Sequence, residues 1–223
     1  MAWDDALTNE TTPSTGVGSQ LNAAWYAALV AGIKAYFPVS TANGGTGITT
    51  LPRRTIWLSA AGGWASTTDG VSAPAITETA NGGEFKGVSF AADATKYLNW
   101  MHVMPSNYNG GVVIATPVFL PVTSDARNHT IIFSVQGASF ASTEAKNVAF
   151  GTAIDSTYTV AADQSAKVIF GPATGNITLG GTSPAGGELV LWRVHRDTDD
   201  TYTGAVVLLG IKITYLTNAT SDE

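Results

Sequence analysis

Apolar and polar positions divide the chain into a polar start, one apolar helical segment and a long region of short β-like runs. Residues 1–18 are polar and show no periodic apolar pattern, so we predict a flexible arm there. After Ser19, large apolar side chains recur at spacings of three and four until Pro38 ends the pattern. The recurring positions are Leu21, Trp25, Leu29, Ile33 and Tyr36. This spacing predicts an α-helix over residues 19–37, with Ser19 as its N-cap.

The predicted helix is also apolar away from this stripe. Tyr26, Val30 and Phe37 lie on its other faces, and Lys34 is the only charged residue between positions 19 and 37. A helix that is hydrophobic nearly all round is normally buried against another surface. We therefore expect the stripe from Leu21 to Tyr36 to form an oligomer or anchoring interface. Its partner would be either helices of other copies of the chain or a groove on another protein.

A segment rich in glycine and threonine separates the predicted helix from the β-like region. Its sequence is STANGGTGITTLP, residues 40–52. A phosphate-binding loop would need a lysine and a following helix; this segment has no lysine, and Pro52 discourages the helix. We therefore predict a linker over residues 38–54.

After the linker, short β-rich runs alternate with turn sequences such as PSNYNGG at residues 105–111 and SPAGGE at 183–188. The predicted strands are Thr55–Ser59, Glu84–Phe90, Tyr97–Met104, Val112–Leu120, His129–Gln136, Tyr158–Val160, Ala166–Phe170, Asn176–Leu179, Glu188–Val194 and Ala205–Tyr215. Strands at this spacing, without intervening helices, predict an all-β fold. We expect a single jelly-roll-like β-sandwich over residues 55–216, followed by a polar tail at 217–223.

The run ELVLWRVHRD, residues 188–197, changes character along its length. Its start is apolar on both faces of a strand, and its end is polar on both. We therefore expect this strand to leave the core towards a rim.

The composition of the chain argues against several classes of function. Charged residues make up 13% of the chain, about half of the roughly 25% typical of soluble domains, and the net charge is −6. Without a basic stripe to neutralise phosphates, a nucleic-acid partner is not expected. The apolar run Ala23–Ile33 is shorter than the roughly 20 residues that a membrane span needs, so membrane insertion is not expected either. The chain contains no cysteine, which excludes disulfides and thiolate metal sites.

The three histidines, His102, His129 and His195, fall on separate predicted strands and not in a His-x-His motif. A metal site assembled from distant strands, for example His129 and His195 with a carboxylate, stays an open alternative. Histidines scattered singly on strands are more often ordinary packing or surface residues. We predict neither a metal site nor a bound cofactor.

The acidic run DTDD, residues 197–200, has the hard oxygen ligands that calcium prefers. It lacks the glycine and the terminal glutamate of an EF-hand loop. It also lies between two predicted strands, where aspartate is a good turn former. The turn is the preferred interpretation.

No sequence motif indicates catalysis. GASFA at residues 137–141 lacks the second glycine of a Gly-x-Ser-x-Gly nucleophile elbow. Nothing in the spacing of the carboxylates selects a pair for glycoside hydrolysis. We therefore assign no catalytic residue and predict a protein that is not an enzyme.

Aromatic residues in the β region are candidates for stacking on sugars. They are Trp57, Trp64, Trp100, Tyr108 and Trp192. Trp100 and Trp192 lie among apolar neighbours in predicted strands, which places them in the core. Tyr108, with Asn109 beside it in the PSNYNGG turn, is the preferred candidate for a ligand-facing loop. Alternatively, Tyr108 packs this turn against the domain.

Two parts of the sequence resemble tailed-bacteriophage proteins. TANGGTGITTLP, residues 41–52, is similar to segments that join the attachment region of phage fibre proteins to a β-rich part. Downstream, NGGEFKGVSFAADATKYLNWMHVMPSNYNGG, PAGGELVLWRVHRD and LLGIKITY resemble a family of phage virion proteins with a jelly-roll-like domain, over roughly Glu78 to Tyr215. In that family a MPSNWDGG-like turn and a final RVYRD…LLGV.ITY-like strand pair recur. Tyr108 and Asn109 stand where the family has an aromatic–Asp pair, so no role of that Asp is carried over.

The resemblance implies a non-enzymatic virion structural protein made in the host cytoplasm. We expect a homotrimeric capsid decoration (cement) or head-fibre protein, anchored by its N-terminal region to the major capsid protein or to a tail component. The alternatives are a tail fibre or adaptor, or a receptor-binding module whose partner is a host surface glycan.

Overall fold

The structure is a computed structural model that describes residues 52–92, 95–122, 128–161, 164 and 167–218. The predicted arm and helix, with the interface residues Leu21, Trp25, Leu29, Ile33 and Tyr36, lie outside the described residues, and so does most of the predicted linker. The part of the chain that is described belongs to one compact unit.

The described residues form strands and one short 3-10 turn, at Ala60–Gly62, and they contain no α-helix. The strands are β1 (Arg53–Ser59), β2 (Trp64–Ala65), β3 (Ala75–Glu78), β4 (Glu84–Phe90), β5 (Tyr97–Val103), β6 (Tyr108–Pro121), β7 (Thr130–Phe140), β8 (Ile154–Thr159), β9 (Ile169–Phe170), β10 (Leu189–Arg196) and β11 (Val206–Thr217). Within this part of the chain, no helix is long and apolar enough to cross a membrane.

The strands form two antiparallel sheets. One sheet has five strands in the order β2-β5-β10-β7-β8. The other has six, in the order β3-β4-β11-β6-β9, with β1 also paired to β11. The sheets meet through aromatic rings: Phe133 on β7 lies 5.5 Å, centroid to centroid, from both Phe90 on β4 and Phe119 on β6. The predicted all-β sandwich is confirmed.

The core follows from the period-two pattern of the strands. On β10, Val190, Trp192 and Val194 are buried, and the residues between them point away from the core. β11 contributes Val206, Leu208, Ile211, Ile213 and Tyr215 from the opposite sheet. Burying both sets on facing sheets stabilises the sandwich by removing apolar surface from water.

The expectation that β10 leaves the core at its end is wrong. Arg196 continues the inward face, and its side chain is 1% exposed, as is expected only for a charge with partners. Its guanidinium forms an ion pair with Asp200, whose side chain is 0% exposed. The sequence showed a charged residue on the inward face but not the partner that makes burial possible.

The guanidinium of Arg196 has five N–H donors, and every one has an acceptor. Nε and Nη2 bind the two carboxylate oxygens of Asp200, the latter at 2.9 Å. Nη1 donates to the carbonyl oxygen of Gly204 at 2.6 Å and to that of Phe90 at 3.3 Å. Nη2 also donates to the carbonyl oxygen of Tyr202. Arg196 therefore ties β10 to β4 and to the connection that leads into β11.

Several short strands differ from the prediction because periodicity is weak over a few residues. β8 spans Ile154–Thr159 and not Tyr158–Val160, and only Ile169–Phe170 of the predicted Ala166–Phe170 is a strand. In the predicted Asn176–Leu179, only Ile177 pairs with a neighbour, through two backbone bonds to Val113.

Two observed strands, β2 and β3, were not predicted. β2 has only two residues, and β3 is exposed throughout, so neither shows an alternating pattern.

Candidate functional site

One side of the five-stranded sheet faces away from the core, and its exposed parts form the candidate site. We call this side of the five-stranded sheet the outer face. Cross-strand register decides which side chains share it, because antiparallel partners point to the same side. The outer face contains Trp64 of β2, Tyr97, Asn99, Met101 and Val103 of β5, Leu189, Leu191, Arg193 and His195 of β10, Ser134, Gln136 and Ala138 of β7, and Asp155 of β8.

A row of polar and aromatic side chains, which we call the Arg193 row, crosses the middle of this face. Trp64 pairs with Asn99, Asn99 with Arg193, and Arg193 with Gln136. The Trp64 residue is 43% exposed although it belongs to a strand. Asn99, by contrast, is 5% exposed and lies in the floor of the face. The row therefore combines an exposed indole ring with amide and guanidinium groups.

Arg193 is held by neighbours on both sides of β10. Its Nε donates to Oδ1 of Asn99 at 3.2 Å. Its Cζ lies 4.9 Å from the ring centroid of Tyr97, on β5, and 4.2 Å from that of Phe150, which lies beside β7. Attraction between a cation and aromatic ring faces, together with the hydrogen bond, fixes the plane of the guanidinium.

A close backbone approach holds Phe150 in this position. The next residue, Gly151, donates its N–H to the carbonyl oxygen of Gly137 on β7 at 3.0 Å. A Cβ atom at position 151 would lie 1.9 Å from the carbonyl oxygen of Thr178, so only glycine fits. The backbone therefore places the Phe150 ring beside Arg193.

One end of the outer face is apolar. Met101, Val103 and Leu189 are all exposed, and Leu189 is paired directly with Val103. Leu191 pairs with Met101 in the next row. These side chains lie next to the Arg193 row, so a ligand along the face would contact apolar and polar groups in succession.

The other end of the outer face is polar. Ser134 Oγ lies 2.5 Å from Oδ1 of Asp155 and 3.3 Å from Oδ2 of Asp197. His195 pairs with Ser134 across the strands, and its ring centroid is 5.2 Å from that of Tyr97. Burial lowers the pKa of His195, the carboxylates of Asp197 and Asp155 oppose this, and Arg193 adds to it. The imidazole therefore favours its neutral form.

The histidines do not assemble into a metal site within the described residues, where no group of three His, Cys, Asp or Glu side chains is placed to hold a metal ion. His102 lies on the inward side of β5, where burial lowers its pKa. The Nδ1 atom of His129 contacts the carbonyl oxygen of Thr201 at 2.5 Å.

The acidic run at 197–200 serves the turn and the core. Oδ1 of Asp197 accepts the backbone N–H of Asp199 at 2.8 Å, as in an Asx turn. Asp200 is the ion-pair partner of Arg196. These contacts agree with the preferred interpretation as a turn.

Tyr108 is not ligand-facing, which corrects the sequence-based expectation. The residue is 2% exposed, and its ring packs against that of Tyr215, with centroids 6.0 Å apart. Its hydroxyl donates to the carbonyl oxygen of Gly111. Burial, and then the charge of Glu188, raises the pKa of Tyr108 to about 12. Tyr108 therefore packs the turn against the domain, as the alternative interpretation held.

Asn109 also shapes the turn. Its Oδ1 accepts the N–H of Gly111 at 2.9 Å, and Gly110 has a φ of 75°, in the left-handed region that favours glycine. The YNGG sequence is therefore explained by local geometry.

The other aromatic residues divide between the core and the surface. Trp100 and Trp192 are buried, as predicted. Trp57 is exposed on the six-stranded sheet, where its indole lies over Gly210 of β11.

Sequence reasoning missed the Arg193 row. The alternation in LVLWRVHR carried a usable signal, since it puts Arg193 and His195 on the side opposite Trp192. No local pattern indicated that Trp64 and Phe150 would join them.

No protein-family model matches the sequence, and no curated protein matches it. Among solved structures, the CBM22-1 xylan-binding domain from Paenibacillus barcinonensis Xyn10C is 14% identical, with a TM-score of 0.41, over 74% of this chain and 95% of that one. CBM35 from Cellvibrio japonicus Abf62 is 9% identical, with a TM-score of 0.37, over 74% and 99%. The Cry4Aa toxin from Bacillus thuringiensis is 12% identical, with a TM-score of 0.38, over 74% and 24%. Similarity this low carries no ligand and no residue role over to this chain.

Proposed function

We propose that the β domain is a non-catalytic binding module that holds carbohydrate on its outer face. The observation that supports this is the exposed Trp64 ring in one row with Asn99, Arg193 and Gln136. A sugar presents an apolar C–H face and a rim of hydroxyl groups. An indole ring covers the first, and amide and guanidinium groups bind the second.

The rigidity of the surface also favours binding. Asn99 is buried, and Arg193 is held by a hydrogen bond and two aromatic rings. Asn99, Tyr97 and Arg193 lie on strands, and the backbone next to Phe150 is hydrogen-bonded to β7. A site on strands loses little conformational entropy when a ligand binds, which raises affinity for a given contact area.

Trp64→Ala is expected to weaken glycan binding by about thirtyfold, because truncating an aromatic hot spot costs about 2 kcal/mol. Glycan-array screening followed by calorimetry on the full chain would measure the change. Trp57→Ala is the matched control, since Trp57 is exposed to a similar degree, 52%, on the opposite sheet. Equal losses in the two variants would contradict the assignment of the outer face, and hydrolysis of the bound glycan would contradict a non-catalytic module.

We also propose that this binding module belongs to a bacteriophage virion, as a capsid decoration or head-fibre protein or as a tail-fibre component. Support comes from the resemblance of the 41–52 segment and of the NYNGG and WRVHRD sequences to phage virion proteins. A host surface glycan is then a suitable ligand for a particle that must attach to cells. The copy number of this protein per purified virion, measured by quantitative mass spectrometry, distinguishes these locations. Hundreds of copies indicate a capsid decoration protein, and about a dozen copies indicate a tail component.

The anchoring interface gives a separate prediction. Trp25→Asp is expected to dissociate the proposed trimer, because burial of a large apolar side chain contributes roughly 1.5–3 kcal/mol and a buried unpaired carboxylate costs more. Light scattering at low protein concentration would report the mass. A Trp25→Asp variant that stays trimeric would count against the helix as the interface, and Lys34→Asp in the same segment controls for charge alone.

A further inference from the structure

We propose that the outer face selects acidic carbohydrate, and that Arg193 binds the carboxylate of a uronic acid residue. This inference rests on the proposed carbohydrate-binding function and names the ligand class. The fold orients the guanidinium group of Arg193 but places no carboxylate against it among the described residues.

The orientation comes from three neighbours. Asn99 Oδ1 accepts the Nε–H of Arg193, and Asn99 itself is too deeply buried to move freely. Tyr97, on β5, and Phe150, in the connection between β7 and β8, supply ring faces to the guanidinium. A planar fork held in this way loses little freedom when it binds a planar oxyanion.

The terminal nitrogens of Arg193 stay available. Among the described residues, the Nε atom of Arg193 has a hydrogen-bond acceptor, but its Nη1 and Nη2 atoms take part in no hydrogen bond and no ion pair. The contrast with Arg196, three residues later on the same strand, is direct, since Arg196 uses all of its donors inside the domain. Two parallel N–H donors at the surface match the two oxygens of a carboxylate.

Neighbouring carboxylates limit where the anion can lie. Asp155 and Asp197 are one row further along, around Ser134, and would repel an acidic ligand there. On the other side of Arg193, Met101 and Leu191 carry no charge. The ligand carboxylate is therefore expected at Arg193, with its chain directed towards Trp64 and Met101 and away from Ser134.

The distance across the sheet suits adjoining sugar units. Trp64 lies on β2 and Arg193 on β10, with β5 between them. Two strand spacings amount to roughly 10 Å, which is of the order of two pyranose rings. One ring can thus stack on Trp64 while the carboxylate of a neighbouring ring meets Arg193.

The experiment compares oligogalacturonate with the same oligosaccharide after its carboxyl groups have been reduced to hydroxymethyl groups. With the full chain at low salt, we expect the acidic form to bind at least tenfold more tightly. Arg193→Gln, which keeps an amide donor for Asn99, is expected to abolish this difference, and Arg193→Lys should not restore it fully because the bidentate contact is lost. Lys212→Gln, an exposed cation on the other sheet, is the matched control and should change nothing.

Equal affinity of the wild-type chain for both oligosaccharides would overturn the proposal, as would unchanged acidic preference in Arg193→Gln with an unchanged melting temperature. If neutral glycans bind and Trp64→Ala removes that binding, the proposed function stands although the acidic preference has failed. A preference for a phosphorylated sugar over the uronate would also overturn the uronate assignment. If no glycan of either kind binds, both proposals fail together.

Discussion

Replacing Arg196 with alanine is expected to lower the free energy of unfolding by about 3–5 kcal/mol, the cost of breaking a buried ion pair from one side. The side chains of Arg196 and Asp200 are 1% and 0% exposed, so the remaining Asp200 carboxylate would have no water to replace its partner. The same change removes the donors to the carbonyl oxygens of Gly204 and Phe90. Urea denaturation followed by circular dichroism would measure the loss.

Two further variants isolate the cause. Lys212→Ala removes an exposed cation from β11 and is expected to stay within about 0.5 kcal/mol of the parent chain. The double variant Arg196→Met, Asp200→Leu removes both charges, so it should recover the part of the loss that comes from the unpaired Asp200 carboxylate, but not the part that comes from the carbonyl oxygens of Gly204 and Phe90. An Arg196→Ala variant as stable as Lys212→Ala would show that the pair contributes nothing.

Tyr108→Ala is expected to have the second large effect, and we expect it to lower the free energy of unfolding and not to act on glycan binding directly. Deleting a fully buried aromatic side chain costs about 3–5 kcal/mol, because transfer free energy is lost and a cavity remains. Here the ring also packs against Tyr215 and its hydroxyl binds Gly111. Tyr108→Phe keeps the ring and should lose only about 0.5–1.5 kcal/mol.

The measurement is again urea denaturation, with Phe170→Ala as the matched control. Phe170 is the most exposed of the large apolar residues on the six-stranded sheet, so its removal should change little. Glycan binding by folded Tyr108→Phe is expected to equal that of the parent chain. If Tyr108→Ala were as stable as Phe170→Ala, or if Tyr108→Phe lost glycan binding while staying folded, the burial of Tyr108 would not explain its role.

The raised pKa of Tyr108 gives the same prediction a pH dependence. In the folded chain the pKa of Tyr108 is about 12, against 10.0 for an ordinary tyrosine, so the folded state keeps this proton after the unfolded state has lost it. Stability from this group is therefore complete below pH 10 and declines as pH rises from 10 towards 12. Tyr108→Phe should remove that part of the alkaline decline.

Long strands with a clear alternation were predictable. Glu84–Phe90 is a strand with the predicted bounds, and the prediction for Tyr97–Met104 differs from β5 by one residue. Both runs combine β-branched or aromatic residues with turn sequences at their ends. Short or fully exposed strands such as β2 and β3 carry no such pattern, and their pairing depends on neighbours that are distant in sequence.

The candidate site was less predictable than the fold. The sequence favours Tyr108 as a surface residue because it lies in a turn rich in Gly and Asn, and such turns are usually exposed. The turn folds back so that the ring meets Tyr215, more than a hundred residues later. Arg193 and Arg196 look alike in sequence, yet Arg193 is partly exposed and Arg196 is enclosed.

The sequence by itself determined the alternation of apolar and polar positions, and with it an all-β sandwich whose inward side chains are largely those of the period-two pattern. Only the tertiary structure decided which strands are neighbours, and therefore that Trp64, Asn99 and Arg193 share a row and that Asp200 meets Arg196. The physical reason is that alternation is a local property of each strand. Register and ion pairing depend on contacts between strands, and a single strand's pattern does not specify its partner.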